Sequence, residues 1–203
     1  MKIPINIPDI DKEEIREVTA VLSEKSLTSS SFEGGKRVQQ FEKLLSKFVK
    51  SKFAVAVNSG TAALQACLYA IDIKPGDEVL VPSFTFVATA NSVKSVGAKP
   101  VFVNTDLKKQ FEPDSSDLKR KINKKTKGII INSPSNPTGG VWSNEAILET
   151  LKICNHYNLW IYSDECDEQL TYNEPFQSIA SLTQENKEII TFQSCSRTYA
   201  MTG

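Results

Sequence analysis

The chain has 203 residues, 40% of them hydrophobic and 24% charged, which is ordinary for a globular protein of one domain or slightly more. Lys plus Arg and Asp plus Glu both number 24, and this zero net charge argues against a nucleic-acid or membrane-surface protein. No run of about 18 apolar residues predicts a membrane span. The four cysteines are widely spaced without a C-x-x-C pair, so we expect no zinc or disulfide framework and a reducing cytoplasm.

The first 52 residues predict an N-terminal arm followed by helices. Apolar side chains recur at helical spacing in two stretches, the first at Ile15, Val18 and Leu22, and the second at Val38, Phe41, Leu45 and Phe48. The stretch between them, residues 25–35, is rich in Ser and Gly and predicts a loop. We expect residues 53–203 to form a separate domain, because the pattern changes at that point.

From residue 53 onward, short apolar strands alternate with helical segments. The predicted strands are Phe53–Asn58, Glu78–Val81, Pro100–Val103, Gly128–Asn132, Leu159–Tyr162 and Ile189–Phe192. Strands that are apolar nearly throughout are typical of a sheet buried on both faces. The predicted fold is therefore α/β, with three layers in the order α-β-α, and the middle layer is a mainly parallel sheet. Asp114 and Ser143 are the predicted N-caps of two intervening helices.

In such sheets, ligands bind beyond the carboxyl ends of the strands. The turn Ser59-Gly60-Thr61 opens a helix, whose free N–H groups attract anions, although simple N-capping by Ser59 is the more common role of such a turn. Phe84 and Phe86 follow the next strand. An aromatic side chain there is placed to stack on a flat ligand, although a lone Phe more often belongs to the core.

The later strand ends add directed polar groups. Asn136 lies in a loop with two prolines and two glycines and offers an amide at the sheet edge. Asp164 follows a buried strand, where it either pairs with a ligand cation or caps a short helix. Ser194, Ser196 and Arg197 follow the last strand and form either an anion cradle or a polar surface loop.

Together these strand ends provide a phosphate site, an aromatic plate, an amide, a carboxylate and a cation. This set suits pyridoxal 5′-phosphate (PLP), whose phosphate binds at a helix N-terminus and whose ring is stacked. An acid holds the pyridine nitrogen of PLP protonated, and the protonated ring then serves as an electron sink.

Over nearly its whole length, the sequence resembles the major domain of fold-type I PLP-dependent aminotransferases. The segments SLTSSSFEGGKRVQQFE, AVAVNSGTAALQA, PGDEVLVPSFTFVATANSV and GAKPVFVNTD, within residues 3–106, resemble the DegT-type nucleotide-sugar aminotransferases. The segments SPSNPTGGVWS, IYSDE and SCSRTYAMTG, within residues 128–203, resemble the class I, aspartate-type enzymes. These motifs occur in the family's order, and several of them lie at the strand ends.

The resemblance implies amino-group transfer between an amino acid and a 2-oxo acid or a keto sugar, so the expected partners are an amino donor and a keto acceptor. Family active sites form at a dimer interface, which implies a homo-oligomer or a partner aminotransferase chain. The implied roles are phosphate binding by Ser59, Gly60, Thr61, Ser194 and Ser196, ring stacking by Phe86, a hydrogen bond to the ring hydroxyl from Asn136, and pairing with the ring nitrogen by Asp164.

Two positions depart from the class I pattern. Arg197 stands where that pattern has the lysine that forms an imine with PLP and shuttles the proton, and a guanidinium is a very poor substitute for an amine. Asp167 stands where the pattern usually has a tyrosine that donates to the cofactor hydroxyl. We therefore expect PLP to bind weakly and non-covalently, with impaired or no catalysis.

The resemblance also implies an antiparallel strand and a small C-terminal domain beyond Gly203. The expected fold is thus a major domain truncated before both, which would leave Phe53–Asn58 and Ile189–Phe192 with open edges. The alternative interpretation is a non-catalytic degenerate paralogue, or a fragment, that associates with a full-length aminotransferase.

Overall fold

A computed structural model describes residues 7–25, 27–172, 175–183 and 188–202. The chain divides into two compact units, Met1–Asn58 and Ser59–Gly203, which we call the N-terminal unit and the C-terminal unit. The division falls after Asn58, whereas the sequence pattern placed the start of the second domain at residue 53. No helix in the described ranges is both long and apolar enough to cross a membrane.

The N-terminal unit contains the two helices that the apolar spacing predicted, α1 (Lys12–Glu24) and α2 (Lys36–Phe48). Asp11 caps α1, because its carboxylate accepts the N–H of Glu13 at 2.7 Å. Arg37 on α2 reaches back to α1 and pairs with Glu17 at 2.9 Å. No residue of either helix is fully buried, so the apolar faces of both helices remain exposed.

The strand predicted at Phe53–Asn58 is wrong. This segment lies outside every strand, and the side chains of Phe53, Val55 and Val57 are exposed. An apolar, β-prone segment becomes a strand only where a neighbour accepts its backbone hydrogen bonds. No described strand pairs with this segment, and the N–H of Ala56 donates instead to the carboxylate of Glu42 at 2.9 Å. The composition of the segment alone was therefore misleading.

The C-terminal unit alternates helices and strands as the sequence predicted. Its helices are α3 (Gly60–Ala70), α4 (Val87–Ser95), α5 (Ser115–Lys121), α6 (Asn144–Tyr157) and α7 (Cys195–Thr198). Its strands are β1 (Glu78–Pro82), β2 (Lys99–Val103), β3 (Thr105–Asp106), β4 (Glu112–Pro113), β5 (Thr126–Asn132), β6 (Trp160–Asp164) and β7 (Ile189–Phe192). Short 3-10 turns occupy Leu107–Lys109 and Ile179–Ser181.

The main sheet has the strand order β2-β1-β5-β6-β7, and every neighbouring pair is parallel. The short strands β3 and β4 form a separate antiparallel pair. This all-parallel main sheet agrees with the fold predicted from the strand–helix alternation. β7 lies at one edge of the sheet, as expected for Ile189–Phe192.

Helices cover both faces of this sheet, which gives the three predicted layers. On one face, Leu64 of α3 and Val93 of α4 pack with alternate strand residues such as Ile130 of β5. On the other face, Leu118 of α5 and Leu151 of α6 pack with the intervening strand residues, such as Ile129. Because side chains alternate along a strand, one apolar run supplies both cores.

The two N-caps predicted for α5 and α6 are confirmed. The carboxylate of Asp114 accepts the N–H of Ser116 at 2.9 Å and that of Asp117 at 3.1 Å. The hydroxyl of Ser143 accepts the N–H of Ala146 at 3.2 Å. Each cap satisfies a backbone donor that has no partner within its own helix.

Candidate functional site

The N-terminus of α3 lies at the carboxyl edge of the sheet. α3 ends at Ala70, and a short turn leads to the start of β1 at Glu78. The C-terminal end of α3 therefore lies near the edge of the sheet at which the parallel strands begin. The opposite end of this helix, at Gly60, therefore points its free N–H groups toward the carboxyl edge. Thr61 is exposed there, and the hydroxyl of Ser59 accepts the N–H of Ala62 at 3.2 Å. Ser59 thus caps α3 and keeps its hydroxyl proton free to donate.

Two aromatic side chains follow β1 at the same edge, and neither belongs to the core. Phe84 is 45% exposed and Phe86 is 54% exposed, so the core interpretation of these residues is wrong. Phe84 stacks on Phe111 with the ring centroids 4.9 Å apart. Phe86 is the N-cap residue of α4 and presents an exposed ring, which leaves it available for stacking on a ligand.

The loop after β5 is held by Asn132, a buried residue at the strand end. Its Oδ1 accepts the N–H of Asn136 at 2.7 Å. Its Nδ2 donates to the carbonyl oxygens of Pro134 at 3.2 Å and of Asp164 at 3.3 Å. Asn132 therefore fixes the half-buried Asn136 relative to the end of β6. Asn132 was not predicted from the sequence, although a polar residue that ends the apolar run GIIIN was a signal that could have identified it.

Asp164 is the last residue of β6 and is half-buried. Its Oδ1 accepts the N–H of Cys166 at 3.2 Å and closes a turn, and because no helix follows at that point, the helix-cap interpretation is wrong. Burial raises the pKa of Asp164, and the hydrogen bonds from Cys166 and the charge of Arg197 oppose this rise. No cationic side chain in the described part of the chain forms an ion pair with Asp164, so this carboxyl group is suited to a cationic ligand atom.

Arg197 and Asp167, the two departures from the class I pattern, are in contact. Nε of Arg197 lies 3.5 Å from Oδ1 of Asp167. The Asp167 side chain is only 15% exposed, whereas the Arg197 side chain is 53% exposed. The sequence indicated both residues separately. Their pairing was not predicted, because it depends on the spacing of two neighbouring strands.

Ser194 and Ser196 flank the start of α7, the single-turn helix that carries Arg197. Ser194 is the N-cap residue but forms no side-chain cap hydrogen bond, and both serines are half-buried. Their hydroxyl groups lie beyond the carboxyl end of β7. Polar groups of this kind were predicted at that edge.

Strand pairing brings several of these residues to one place. Asn132 pairs with Asp164 across β5 and β6, and Asp164 pairs with Phe192 across β6 and β7. The N–H of Glu165 donates to the carbonyl of Phe192 at 3.0 Å and ties the two later strand ends together. The asparagine loop, Asp164 and the Arg197 turn therefore lie side by side, while the α3 N-terminus and Phe86 share the same edge of the sheet.

Glu165 is a buried carboxyl group that the sequence analysis missed. Its Oε1 accepts hydrogen bonds from the hydroxyls of Ser163 at 2.9 Å and Ser178 at 3.0 Å and from the N–H of Ile179 at 3.3 Å. Burial raises its pKa to about 7, and these hydrogen bonds oppose that rise. Glu165 thereby anchors the segment around Ile179 beneath the Asp164 turn. Within the described residues, no group of His, Cys, Asp and Glu side chains is arranged to hold a metal ion.

Comparisons with known proteins show which family the chain belongs to. Residues 8–174 match the model of the DegT/DnrJ/EryC1/StrS aminotransferase family. The chain belongs to this family. It is 38% identical over 162 residues to the spore coat polysaccharide biosynthesis protein SpsC of Bacillus subtilis, a match that covers 80% of the chain and 39% of SpsC.

A second relative and a solved structure connect the chain to the aspartate-type enzymes. The aspartate aminotransferase of Bacillus sp. strain YM-2 is 36% identical over 152 residues, which cover 73% of the chain and 38% of that protein. The crystal structure of an aspartate aminotransferase from Thermotoga maritima superposes with a TM-score of 0.81 at 26% identity, covering 98% of the chain and 54% of that structure. The chain thus spans about half the length, or less, of the proteins it matches. The resemblance to both subfamilies is confirmed, and the fold is that of PLP-dependent aminotransferases.

The groups at this edge of the sheet fit PLP in their chemistry. The α3 N-terminus offers N–H groups and hydroxyls to a phosphate, Asp164 offers a carboxylate to the ring nitrogen, and the exposed ring of Phe86 offers a stacking surface. The residue that does not fit covalent attachment of PLP is Arg197, because its charge is delocalised and already paired with Asp167.

Proposed function

We propose that this chain binds PLP weakly and non-covalently, and that it has impaired or no aminotransferase activity of its own. The observation that carries the proposal is the position of Arg197, beyond the end of β7 and beside the Asp164 turn, paired with Asp167. A guanidinium stays protonated at all accessible pH values, so Arg197 neither attacks an aldehyde nor shuttles a proton. All four cysteines are free, which fits the reducing cytoplasm proposed as its compartment.

In this proposal each residue at the sheet edge has a binding role. The α3 N-terminus holds the phosphate with Ser59, Gly60 and Thr61, and Ser194 and Ser196 add hydroxyl donors. Asn136 binds the ring hydroxyl, and Phe86 covers the ring. Asp164 keeps the ring nitrogen protonated. The positive charge of that nitrogen offsets the free energy that the buried carboxylate loses with its hydration.

The reaction from which this proposed function derives is amino-group transfer between an amino acid and a 2-oxo acid or a keto sugar. When bound, PLP supplies the electron sink for such a reaction. The chain's own contribution stops at binding and orientation, because no amine at position 197 accepts the substrate proton. Asp167, when ionised, also repels a negatively charged ring oxygen instead of donating a hydrogen bond to it.

The proposal is tested by titrating the purified chain with PLP and following its visible absorbance, with borohydride added at the end. We expect a spectral shift on binding that dialysis reverses, and no covalent label in the intact mass. Asp164→Asn should weaken binding roughly tenfold, since it removes the charge that pairs with the ring nitrogen. Pyridoxal without phosphate serves as the control ligand and should bind more weakly. Stoichiometric labelling of a single lysine of the unmodified chain would contradict the proposal.

A second candidate function is that of a non-catalytic partner of a full-length aminotransferase or of a second copy of this chain. The exposed apolar side chains of Phe53, Val55 and Val57, on a segment outside any strand, favour this candidate. Apolar side chains exposed on a segment that no strand pairs with form a surface suited to contact with another chain. Co-expression with a full-length family member should yield a complex of fixed stoichiometry. A chain that stays monomeric at high concentration and does not bind the co-expressed enzyme would count against this candidate.

A further inference from the structure

We propose that Arg197 and Asp167 act as one unit in preventing covalent attachment of PLP, because the carboxylate of Asp167 would keep even an amine at position 197 protonated. This inference rests on the proposed function, because it concerns the same site. The two departures from the class I pattern contact each other at 3.5 Å, so they replace an amine and a hydroxyl with an ion pair. Exchanging Arg197 alone would then leave half of the obstacle in place.

The backbone holds the two charges close together. Asp167 lies in the turn after β6, where its carbonyl accepts the N–H of Leu170 at 2.8 Å. Arg197 lies on α7, where its N–H donates to the carbonyl of Ser194 at 3.3 Å. The hydrogen bond from Glu165 to Phe192 joins the strands that precede these turns. The Asp167 side chain is only 15% exposed, so solvent screens its charge less than that of a fully exposed carboxylate, whereas the Arg197 side chain is 53% exposed.

Two carboxylates lie close to position 197. Asp167 contacts Arg197 directly, and Asp164 and Cys166 are close enough for the guanidinium to affect their pKa values. Neighbouring carboxylates stabilise an ammonium and so keep the lysine of an Arg197→Lys variant protonated. A protonated amine has no free electron pair to attack a carbonyl carbon. Asp167 therefore blocks condensation with PLP even when Arg197→Lys provides an amine.

The blocked step is an ordinary condensation. A neutral amine attacks the 4′-aldehyde carbon of PLP, a C=N bond forms, and the aldehyde oxygen leaves as water with both amine protons. Borohydride then delivers hydride to the carbon while solvent protonates the nitrogen, which fixes the product as a secondary amine. The intact mass of the protein therefore records the extent of condensation without any assay of transamination.

The experiment compares the unmodified chain with R197K, R197K/D167N and R197K/D167E, each incubated briefly with PLP and then reduced with borohydride. Asn keeps the shape of Asp167 without its charge, whereas Glu keeps the charge. We expect no PLP label at position 197 of the unmodified chain, and little label at that position in R197K or R197K/D167E. R197K/D167N should label roughly tenfold faster, as a pKa lowered by about one unit implies, and its labelling should begin at correspondingly lower pH. Peptide mapping places the label at position 197.

Three results separate the inference from the proposed function. If R197K labels as fast as R197K/D167N, the inference is wrong while weak PLP binding stands. If the unmodified chain binds PLP reversibly but neither the single nor the double variants label, the pair is not the obstacle, and the inference is again wrong. If neither the unmodified chain nor any variant binds PLP in the absorbance titration, while circular dichroism shows that all are folded, the proposed function itself fails.

Discussion

Two adjacent carboxyl groups, Asp164 and Glu165, have different tasks because they point into different surroundings. Asp164 ends β6 at the candidate site and has no ion-pair partner in the described ranges. Glu165 is turned into the protein, where three donors converge on its Oε1. Burial raises the pKa of both groups, and that of Glu165 rises to about 7. The first residue is thus suited to binding a cation, and the second to fixing the turn that carries it.

Glu165 should make the stability of the fold depend on pH between about 4.5 and 7. Its pKa in the folded chain is raised to about 7 by burial, from an ordinary value of 4.5. The folded state therefore keeps a proton that the unfolded state releases, so the free energy of unfolding falls as pH rises through this window. The full contribution is roughly 3 kcal/mol, and it is lost above pH ~7. Glu165→Gln should remove this slope, which urea unfolding at pH 5 and pH 8 measures.

The matched control for this prediction is Glu145→Gln, an exposed carboxylate in the first turn of α6. It should leave the slope between pH 5 and pH 8 as it is in the unmodified chain. The amide that Glu165→Gln introduces carries no charge at any pH, and its oxygen can still accept the hydrogen bonds from Ser163 and Ser178. An unchanged slope in Glu165→Gln would show that this carboxyl group does not titrate as its burial implies.

At the scale of elements, local patterns were sufficient wherever an element depends on its own sequence. The N-caps Asp114 and Ser143 were predicted because capping acts over three residues. β5 was predicted because a run of isoleucines allows few alternatives in a buried sheet. The strand prediction for Phe53–Asn58 was wrong because a strand depends on more than its own sequence. It also needs a neighbouring strand, which the sequence of one segment does not reveal.

The candidate site was predictable to the extent that strand ends meet at one edge of a parallel sheet. Asp164, Asn136 and Arg197 were found by that rule. The contacts that hold these residues in place were not predicted, because such contacts join residues far apart in sequence. An example is the hydrogen bond from Asn132 to the carbonyl of Asp164. The role of Glu165 was hidden for the same reason, since its partner Ser178 lies in a segment without a motif.

At the scale of the C-terminal unit, β5 is the central strand of the sheet, and like β1 and β6 it supplies residues to both cores. It lies between β1 and β6 in the middle of the sheet. Ile130 faces the core under α3 and α4, while Ile129 and Ile131 face the core under α5 and α6. A disturbance of β5 is therefore felt on both faces of the sheet, and the unit should unfold in one cooperative transition.

Gly128 of β5 is where this shared strand has no room for a larger residue. A Cβ added there would lie 2.7 Å from the carbonyl oxygen of Trp160 and 2.9 Å from the ring of Tyr162, which is fully buried. Gly128→Ala should lower the free energy of unfolding by about 1–3 kcal/mol, because neither a backbone carbonyl nor a packed ring yields easily. Urea unfolding should show a lower midpoint with an unchanged m-value. Lys127→Ala, at the exposed neighbouring position, is the control and should change stability by less than about 0.5 kcal/mol. A Gly128→Ala variant as stable as the unmodified chain would mean that β5 can shift within the sheet, and that the two cores are less tightly coupled than their shared strand implies.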